Sequence, residues 1–564
     1  MIALASLSPR SWVRGATSVA VPHVTAITQV THDGYRKDNL LAGDSQIFVT
    51  EMPESNRVVA RVTLPDSSRS LVASPFSSMQ ALDLSADHSK LLVSAKKESG
   101  DNELWVVPVS SGSPEPVGGL NGRDASWSAD GKSLVYAKGH SLYLASATGA
   151  HERLLYKANG SVFAPRFSPN AQKIRFSVSD AEKGATSLWE VGKDGSQPHA
   201  LLSDWPFHAT ACCGSWTSDG RYYIFQARQT VANTGLVLNV LWALSESKAD
   251  VSAAAPIPLT VGPMSFGNPS VSRDGKNIWA IGVQPTVGIV KYEPHKKKYV
   301  DVIPGVSATD LQYSQDGKWV AYVTIPEGTL WRARANGKDQ LQLTQAPDRA
   351  ALPQWSPDGK QIAFAGMAPA GSWKLYRIPA DGGEAKPLCS ENGSQIDANW
   401  SSDGTQILFG DWLGDAGGLS IRLLDLKSNK IETIAGSKGF FSPRWSPNGQ
   451  YIAAISPDST TLMLFNFQTQ KWTSWLKETA GTVSYPVWSN DSQYLYFDDL
   501  VNGAEAIRRI NVDGSQPELV YEMPTIERYP GPFGFWSGRA PDGSWMVAQD
   551  RSTQEVYQLS MELP

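Results

Sequence analysis

The sequence predicts an all-β protein made of tandem β-propellers, with about twelve four-stranded blades arranged six plus six. One phrase recurs along the chain: an aromatic or aliphatic residue, Ser or Thr, a variable position, and Asp-Gly or Asn-Gly, as in Trp355-Ser-Pro-Asp-Gly359. A spacing near ~40–45 residues is that of a propeller blade. The Asp or Asn of this phrase, or of a weaker copy, stands at positions 44, 87, 130, 170, 219, 274, 316, 358, 403, 448, 491 and 542.

Each repeat contains the chemistry of a turn between two strands. In Ser-Pro-Asp-Gly, Pro presets φ, Asp tolerates the bridge region and Gly accepts a positive φ, which predicts a type I turn with a left-handed residue after it. Alternating apolar runs such as Gln361-Ile-Ala-Phe364 predict strands with one buried face. Later segments such as Leu375-Tyr376 and Gln340–Thr344 mark third and fourth strands. We expect the recurrent Trp to pack between neighbouring blades.

Twelve blades exceed the 4–8 typical of one closed ring, so the sequence predicts two rings. Pro304-Gly305 interrupts the pattern and places the predicted boundary there. The predicted organisation is a poorly ordered N-terminal extension over 1–26, a first propeller over 27–305 and a second over 306–564. The final repeat ends with a third strand at Glu555–Leu559, whereas Ile27–Thr31 resembles a fourth strand that precedes the first blade. That segment completes a ring, and the sequence leaves open which one.

Composition excludes several classes of function. The net charge of the 564 residues is −5, which gives no general attraction for nucleic acid or anionic lipid. No run approaches the ~18 apolar residues of a membrane helix. Arg10 and Arg14 follow the short N-terminal apolar stretch, which is the reverse of the order in a signal peptide.

The three cysteines are interpreted as ordinary small apolar residues: the adjacent Cys212 and Cys213, and Cys389.

The repeat with its Leu-Tyr and Leu-Thr strands resembles the TolB-type, WD-like propeller repeat over residues 27–564. A closer resemblance is to the C-terminal propeller region of bacterial winged-helix transcriptional regulators. It is carried by Ile27-Thr-Gln-Val-Thr-His-Asp-Gly34, Trp319–Trp331, Phe441–Gly449 and Leu462–Phe465. The resemblance implies a sensor or interaction module outside the cytoplasm. DNA binding does not carry over, because only 26 residues precede the first strand.

Motifs for catalysis or cofactor binding are missing from the sequence. There is no Gly-x-Ser-x-Gly, P-loop, His-Glu-x-x-His or EF-hand pattern, and no cofactor or metal is expected. The eight histidines all lie at or before His295, so the predicted second propeller has none for acid–base or metal chemistry.

Five residues are the candidates for a ligand or partner site, because each is expected near the mouth of a central channel. His140 and His208 lie in loops, and His208 is the position from which an enzymatic reading would start. Asp124, Asp310 and Asp397 each come a few residues before a predicted inner strand. The simplest role for these carboxylates is hydrogen bonding to loop amides, and the functional alternative is a polar ring that binds a peptide or cation. Two longer loops, Asp180–Ala185 and Asp411–Gly417, are expected on the same face.

The resulting hypothesis is a non-enzymatic scaffold or sensor module that binds a protein or peptide partner, with no nucleic acid bound by this chain alone. The alternative is a carbohydrate-active or lyase-like enzyme that uses the channel of the first propeller. The oligomeric state stays open. The resemblance implies an extracytoplasmic location, although no clear signal peptide is present.

Overall fold

The computed structural model describes most of the chain. The described residues are 21–53, 56–96, 102–110, 112–180, 185–230, 237–246, 255–262, 264–345, 348–368, 371–389, 393–412, 418–477, 481–501 and 504–563. All the regular structure in these ranges is β-strand, and they contain no helix that could span a membrane.

The described residues up to Asp301 form twenty-five strands. They are β1 (His23–Gln29), β2 (Arg36–Ala42), β3 (Gln46–Met52), β4 (Val58–Thr63), β5 (Ser68–Leu71), β6 (Ser78–Leu84), β7 (Lys90–Lys96), β8 (Glu103–Pro108), β9 (Glu115–Asn121), β10 (Asp124–Trp127), β11 (Ser133–Lys138), β12 (Ser141–Ser146), β13 (Arg153–Lys157), β14 (Ser161–Phe167), β15 (Lys173–Asp180), β16 (Ala185–Gly192), β17 (His199–Ala200), β18 (Cys212–Trp216), β19 (Tyr222–Thr230), β20 (Val237–Ser245), β21 (Ile257–Pro258), β22 (Ser265–Val271), β23 (Asn277–Gln284), β24 (Val287–Glu293) and β25 (Lys298–Asp301).

The described residues after Asp301 form another twenty-five strands. They are β26 (Ala308–Tyr313), β27 (Trp319–Thr324), β28 (Leu330–Arg334), β29 (Leu341–Gln342), β30 (Arg349–Trp355), β31 (Gln361–Met367), β32 (Lys374–Pro379), β33 (Lys386–Pro387), β34 (Ser394–Trp400), β35 (Gln406–Trp412), β36 (Leu419–Asp425), β37 (Ile431–Thr433), β38 (Phe441–Trp445), β39 (Tyr451–Ile455), β40 (Thr461–Asn466), β41 (Lys471–Lys477), β42 (Gly481–Trp488), β43 (Tyr494–Val501), β44 (Ala504–Asn511), β45 (Glu518–Glu522), β46 (Pro530–Gly531), β47 (Gly534–Phe535), β48 (Ser537–Arg539), β49 (Trp545–Asp550) and β50 (Thr553–Glu562).

The described strands form twelve four-stranded antiparallel sheets and one two-stranded sheet, which confirms the predicted fold class. Blades 1 to 5 are consecutive: β2–β5, β6–β9, β10–β13, β14–β17 and β18–β21. Blade 6 has the order β22-β23-β50-β1, and blade 7 the order β48-β49-β24-β25. Blades 8 to 12 are again consecutive: β26–β29, β30–β33, β34–β37, β38–β41 and β42–β45.

The predicted turns join the first and second strands of the blades. In blade 9, the Gly359 amide donates to the Ser356 carbonyl at 2.9 Å, the Ser356 hydroxyl donates to Asp358 at 2.7 Å, and the Gln361 amide donates back to that hydroxyl at 2.9 Å. Gly359 has a φ of 69°, a conformation that a Cβ would disfavour. The Ser-x-Asp-Gly phrase therefore satisfies its own polar groups at each sharp reversal.

The blades close into two rings. In ring 1, blades 1 to 6, the cluster that closes the circle joins Val30 and Leu40, near the start of the chain, to Trp279 and to Val556, near its end. In ring 2, blades 7 to 12, the closing cluster includes Ile507 and Trp545. Each of the twelve core clusters lies between two neighbouring blades of one ring. They are the main apolar stabilisation of the fold, because they remove the apolar side chains of the blade faces from water.

The two rings are joined by an exchange of strands. The chain leaves β23 at Gln284 and enters ring 2 at Val287, and it returns from Asp550 to Thr553. The two crossings contact each other: the Arg551 amide donates to the Thr286 carbonyl at 2.8 Å. Ring 2 is therefore an insertion between the second and third strands of the last blade of ring 1.

This topology differs from a division of the chain at 305/306. That division separates 287–301 from its sheet partners at 537–550, and 553–562 from those at 23–29 and 265–284. Pro304-Gly305 lies in the connection between blades 7 and 8, where a turn interrupts the repeat without ending a ring.

The strand at the N-terminus belongs to ring 1. It begins at His23, four residues before the predicted start, and Ile27 pairs with Leu559, so that β1 is the fourth strand beside the third strand β50. Residues 1–20 of the predicted extension lie outside the described residues.

Tryptophans pack between neighbouring blades, as predicted from the repeats. Trp355, Trp400 and Trp488 each donate the indole N–H to a carbonyl of the preceding blade, at 3.1, 3.1 and 2.9 Å. Each indole therefore packs at the interface between two blades, and its one polar group, the N–H, is hydrogen-bonded.

Candidate binding site at the mouth of ring 2

One position of the inner strand, named the special position, has a left-handed backbone conformation in most blades. It lies four residues before the Ser or Thr of the turn, and there eight non-glycine residues have φ between 44° and 59°. Most of these strands show a register shift at that point, so an amide is released from its own sheet. The eight residues are Ala164, Cys213, Asn268, Asp310, Leu352, Asp397, Ser442 and Tyr485.

Asp124 and Asp310 occupy this position and connect neighbouring blades. Both lie inside inner strands rather than in the loops before them. Asp310 Oδ2 accepts the Leu352 amide at 3.0 Å, and Asp124 Oδ2 accepts the Ala164 amide at 3.3 Å. Their hydrogen bonds therefore go to strand amides released by the register shift, not to loop amides.

Burial controls the protonation of both carboxyls. Burial raises the pKa of Asp310 to about 6, with a smaller contribution from the charge of Asp397, while the Leu352 amide opposes the shift. The pKa of Asp124 is also raised by burial, and the nearby Arg166 guanidinium partly offsets the rise. Asp310 and Asp397 share the channel of ring 2, whereas Asp124 lies in ring 1.

A cavity of about 500 Å³ opens where the inner strands of ring 2 begin. Its walls are mainly apolar side chains of blades 9 to 12 and of the segment between β45 and β48. This composition is typical of ligand sites. A void of about 20 Å³ lies deeper in the channel and shares Leu352 and Tyr485 with the cavity. The apolar and aromatic lining residues are Leu352, Ile396, Leu419, Phe441, Ile455, Val483, Tyr485, Leu500, Phe533 and Phe535.

The hairpin β46–β47 forms part of the cavity wall and is anchored at several points. The Tyr485 hydroxyl donates to the Phe533 carbonyl at 3.1 Å, and the Phe533 ring packs 5.2 Å from the Trp373 ring of blade 9. Arg528 Nη2 donates to the Phe535 carbonyl at 2.6 Å. Because Tyr485 belongs to blade 12 and Trp373 to blade 9, the hairpin is held from two separate blades of the ring.

Charged groups converge on the same cavity. Asp397 Oδ1 accepts from Arg444 at 2.8 Å, and Arg528 Nη1 donates to Asp498 at 2.7 Å and to Glu505 at 3.4 Å. The Asp498 and Arg528 side chains are 3% and 6% exposed, whereas Glu505 is 25% exposed. Burial raises the pKa of Glu505, and the Arg528 charge opposes the rise.

The two predicted histidines lie apart from this cavity. His140 is exposed in the turn between β11 and β12, and His208 is exposed in the loop before β18, where its Nδ1 lies 2.7 Å from the Trp205 carbonyl. The described residues contain no group of three or more His, Cys, Asp or Glu arranged to hold a metal ion. Of the five candidates, the structure therefore brings together only Asp310 and Asp397. Residues 181–184 and 413–417 of the two predicted long loops lie outside the described ranges.

The prediction for the adjacent cysteines was wrong. Cys212 and Cys213 form a disulfide at the inner strand of blade 5, where the left-handed φ of Cys213 changes the chain direction within the pair. Cys389 is buried in an apolar core cluster outside this disulfide, as the apolar interpretation predicts.

Sequence reasoning missed Tyr485, Arg528, Asp498, Glu505 and the hairpin. Tyr485 could have been found by counting four residues back from each turn Ser, the same register that contains Asp310 and Asp397. The hairpin lies within the 51-residue interval between Asp491 and Asp542, one of the longest in the repeat series. No comparable signal marks Arg528, Asp498 or Glu505.

Comparison with known proteins gives partial matches. No family model matches the chain. An uncharacterized peptidase, YuxL, of Bacillus subtilis is 31% identical over 123 residues, 20% of this chain and 19% of that protein. An uncharacterized protein of Agrobacterium fabrum is 23% identical over 155 residues, 25% of this chain and 53% of that protein. The chain thus spans about a fifth and about half of the lengths of these relatives.

Three solved structures have a related arrangement of strands. TolB from Acinetobacter baumannii matches with a TM-score of 0.34 at 14% identity over 52% of this chain and 82% of that chain. The tricorn protease matches with 0.33 at 13% over 85% and 49%. An oligogalacturonate lyase from Vibrio parahaemolyticus matches with 0.29 at 10% over 69% and 98%. The sheet pairing described above establishes the fold.

Proposed function

We propose that this chain is a non-enzymatic propeller scaffold that binds a peptide segment of a partner protein at the mouth of ring 2. The observation that carries the proposal is the apolar cavity of about 500 Å³, a size that holds one or two side chains of a peptide. Apolar pockets surrounded by polar groups are typical anchor sites of protein interfaces.

The rim of the cavity supports the same assignment. Leu500 is 37% exposed and Phe535 is 49% exposed, and both line the opening. Large apolar side chains exposed together at a concave site lose unfavourable contact with water when a partner covers them. The anchored hairpin keeps Phe535 in place, which reduces the entropy lost on binding.

A role in a signalling or transcription-regulator system follows from the resemblance to the propeller region of winged-helix regulators. In this proposal the propellers act outside the cytoplasm as the sensor part, and occupancy of the ring 2 mouth is the signal. The partner is a protein or peptide, and the chain itself contributes no DNA contact.

A photo-cross-linking amino acid at Phe535 tests the proposal in the native host. We expect one discrete partner to be captured there, and capture to disappear when Leu500→Arg places a charge at the opening. The matched control is the same cross-linker at Leu154, which is 52% exposed on an outer strand of ring 1. Identical products at both positions, or products unchanged by Leu500→Arg, would contradict a specific site at the mouth.

The enzymatic alternative in ring 1 has its own outcome. Turnover of an oligosaccharide by the purified chain that is lost in His208→Ala, with the ring 2 cross-links unaffected, would replace the scaffold proposal by a lyase-like one.

A further inference from the structure

Three carboxylates at the cavity each use only one oxygen within the described part of the protein. Asp397 accepts through Oδ1, Asp498 through Oδ2 and Glu505 through Oε2. The second oxygen of each has no hydrogen-bond donor among the described residues. Ionised carboxylates accept strongly at both oxygens, so these atoms are open to a donor from a ligand.

The local charges do not cancel. Three carboxylates line the cavity, and they are paired with two guanidiniums, Arg444 and Arg528. Both cations already donate to protein groups: Arg444 also to the Pro443 carbonyl at 2.9 Å, and Arg528 also to the Phe535 and Trp536 carbonyls at 2.6 and 3.1 Å. With these groups ionised, the cavity has an excess negative charge beside walls of low polarity, where a positive charge is attracted more strongly than in water.

Glu505 is the carboxylate that a ligand reaches most easily. Its side chain is 25% exposed, compared with 3% for Asp498 and 8% for Asp397. Its contact with Arg528, at 3.4 Å, is also the longest of the three ion pairs. A new donor therefore gains a charge-assisted hydrogen bond at Glu505 without displacing a short ion pair.

The remaining walls fit the apolar part of a cation. Phe441, Tyr485 and Phe533 present aromatic rings, and such rings attract organic cations as well as excluding water. An inorganic divalent cation would prefer a cage of oxygens, and most of this lining is hydrocarbon.

We propose that the ring 2 cavity selects a primary ammonium carried on an apolar body, such as a lysine side chain of the partner peptide beside an apolar residue, and that Glu505 is its acceptor. The inference rests on the proposed function, because it specifies what the bound segment presents to the cavity. The methylene stem or neighbouring side chain fills the apolar volume while the ammonium reaches the carboxylates.

Three small probes of one shape test the proposal on the full chain. The probes are 2-phenylethylammonium, 2-phenylethanol and 3-phenylpropionate, titrated with detection by ligand-observed NMR. We expect the ammonium to bind about tenfold more tightly than the alcohol, which corresponds to one charge-assisted hydrogen bond, and the carboxylate to bind most weakly. Equal binding of ammonium and alcohol, tighter binding of the carboxylate, or no binding of any probe overturns the inference.

Variants locate the effect. Glu505→Gln should abolish the preference for the ammonium while leaving the affinity for the alcohol unchanged. The matched control Glu384→Gln, at an exposed residue of ring 2 outside the cavity, should leave both affinities unchanged. If Glu505→Gln fails to fold, raised ionic strength on the native chain must weaken the ammonium more than the alcohol. Partner cross-links at Phe535 without an ammonium preference would refute this inference alone. Failure of the chain with native Leu500 to capture any partner at Phe535 would refute the proposed function.

Discussion

Ring 1 and ring 2 use the same turns and blade interfaces but differ at their mouths. In ring 1, the special inner-strand position holds Asp124, Ala164, Cys213 and Asn268, and Cys213 is part of a disulfide. In ring 2, that position holds Asp310, Leu352, Asp397, Ser442 and Tyr485, and a hairpin adds to the wall of a cavity. Turns and blade interfaces maintain the fold, so the first residues of the inner strands are where two rings of one chain can acquire different binding chemistry.

Expressing one ring without the other is the largest change that tests whether the two rings are independent. Residues 286–551 expressed alone should fold as a closed six-bladed ring, because Val287 and Asp550 are register partners and each core cluster lies within one ring. Far-ultraviolet circular dichroism and a cooperative thermal transition would check this. An unfolded or aggregated fragment would show that ring 2 depends on ring 1.

Removing one closing tryptophan should destabilise one ring selectively. Trp545→Ala in ring 2 and Trp279→Ala in ring 1 each remove a nearly buried indole, and a large cavity of this kind costs about 3–5 kcal/mol. Hydrogen exchange read by mass spectrometry should show faster exchange in the blades of the mutated ring. Equal acceleration in both rings would mean that they unfold as one unit.

Asp310 should make ring 2 less stable as the pH rises through the acid range. Its pKa is raised from 3.8 to about 6 in the folded state, so the folded state binds the proton more tightly than the unfolded state. The stabilisation is present below pH ~4 and is lost as the pH approaches ~6, with a magnitude up to about 3 kcal/mol.

Asp310→Asn, which keeps an acceptor for the Leu352 amide, should remove this contribution to the pH dependence. Urea denaturation of both proteins at pH 4, 5, 6 and 7 measures the difference. A constant difference across the series would contradict the assignment. Asp124→Asn is the matched variant in ring 1, where Arg166 opposes the shift.

The smallest expected effect lies between the rings. Arg36 of ring 1 and Glu527 of ring 2 form a 2.8 Å ion pair, but their side chains are 58% and 63% exposed. Solvent and salt screen such pairs, so Glu527→Gln should change the free energy of unfolding by less than about 1 kcal/mol. A larger loss in chemical denaturation would indicate that this contact couples the rings.

The turn phrase is sufficient to predict the blades, because each copy is a local reversal whose polar groups are satisfied within five residues. The exchange of β24 and β50 between sheets could not be derived in the same way, because the repeat period does not determine which sheet a strand joins. The unmatched third strand at Glu555–Leu559 was the one local sign of it.

The candidate site was only partly predictable, for a similar reason. Asp310 and Asp397 stand at a fixed distance from a turn, whereas the approach of Arg528 to Asp498 and Glu505 depends on how the segment before blade 7 crosses the ring. The adjacent cysteines were misjudged because the left-handed backbone at Cys213 cannot be read from residue types.

The paired crossings have a consequence for proteolysis. A protease that cuts the backbone at Thr286 leaves the connection through Arg551 intact, and a cut at Arg551 leaves the one through Thr286. A single nick therefore yields two fragments on a denaturing gel but one particle in solution. Release of ring 2 requires both cuts, so it should follow the square of the cleavage probability when the two sites are cleaved independently and equally.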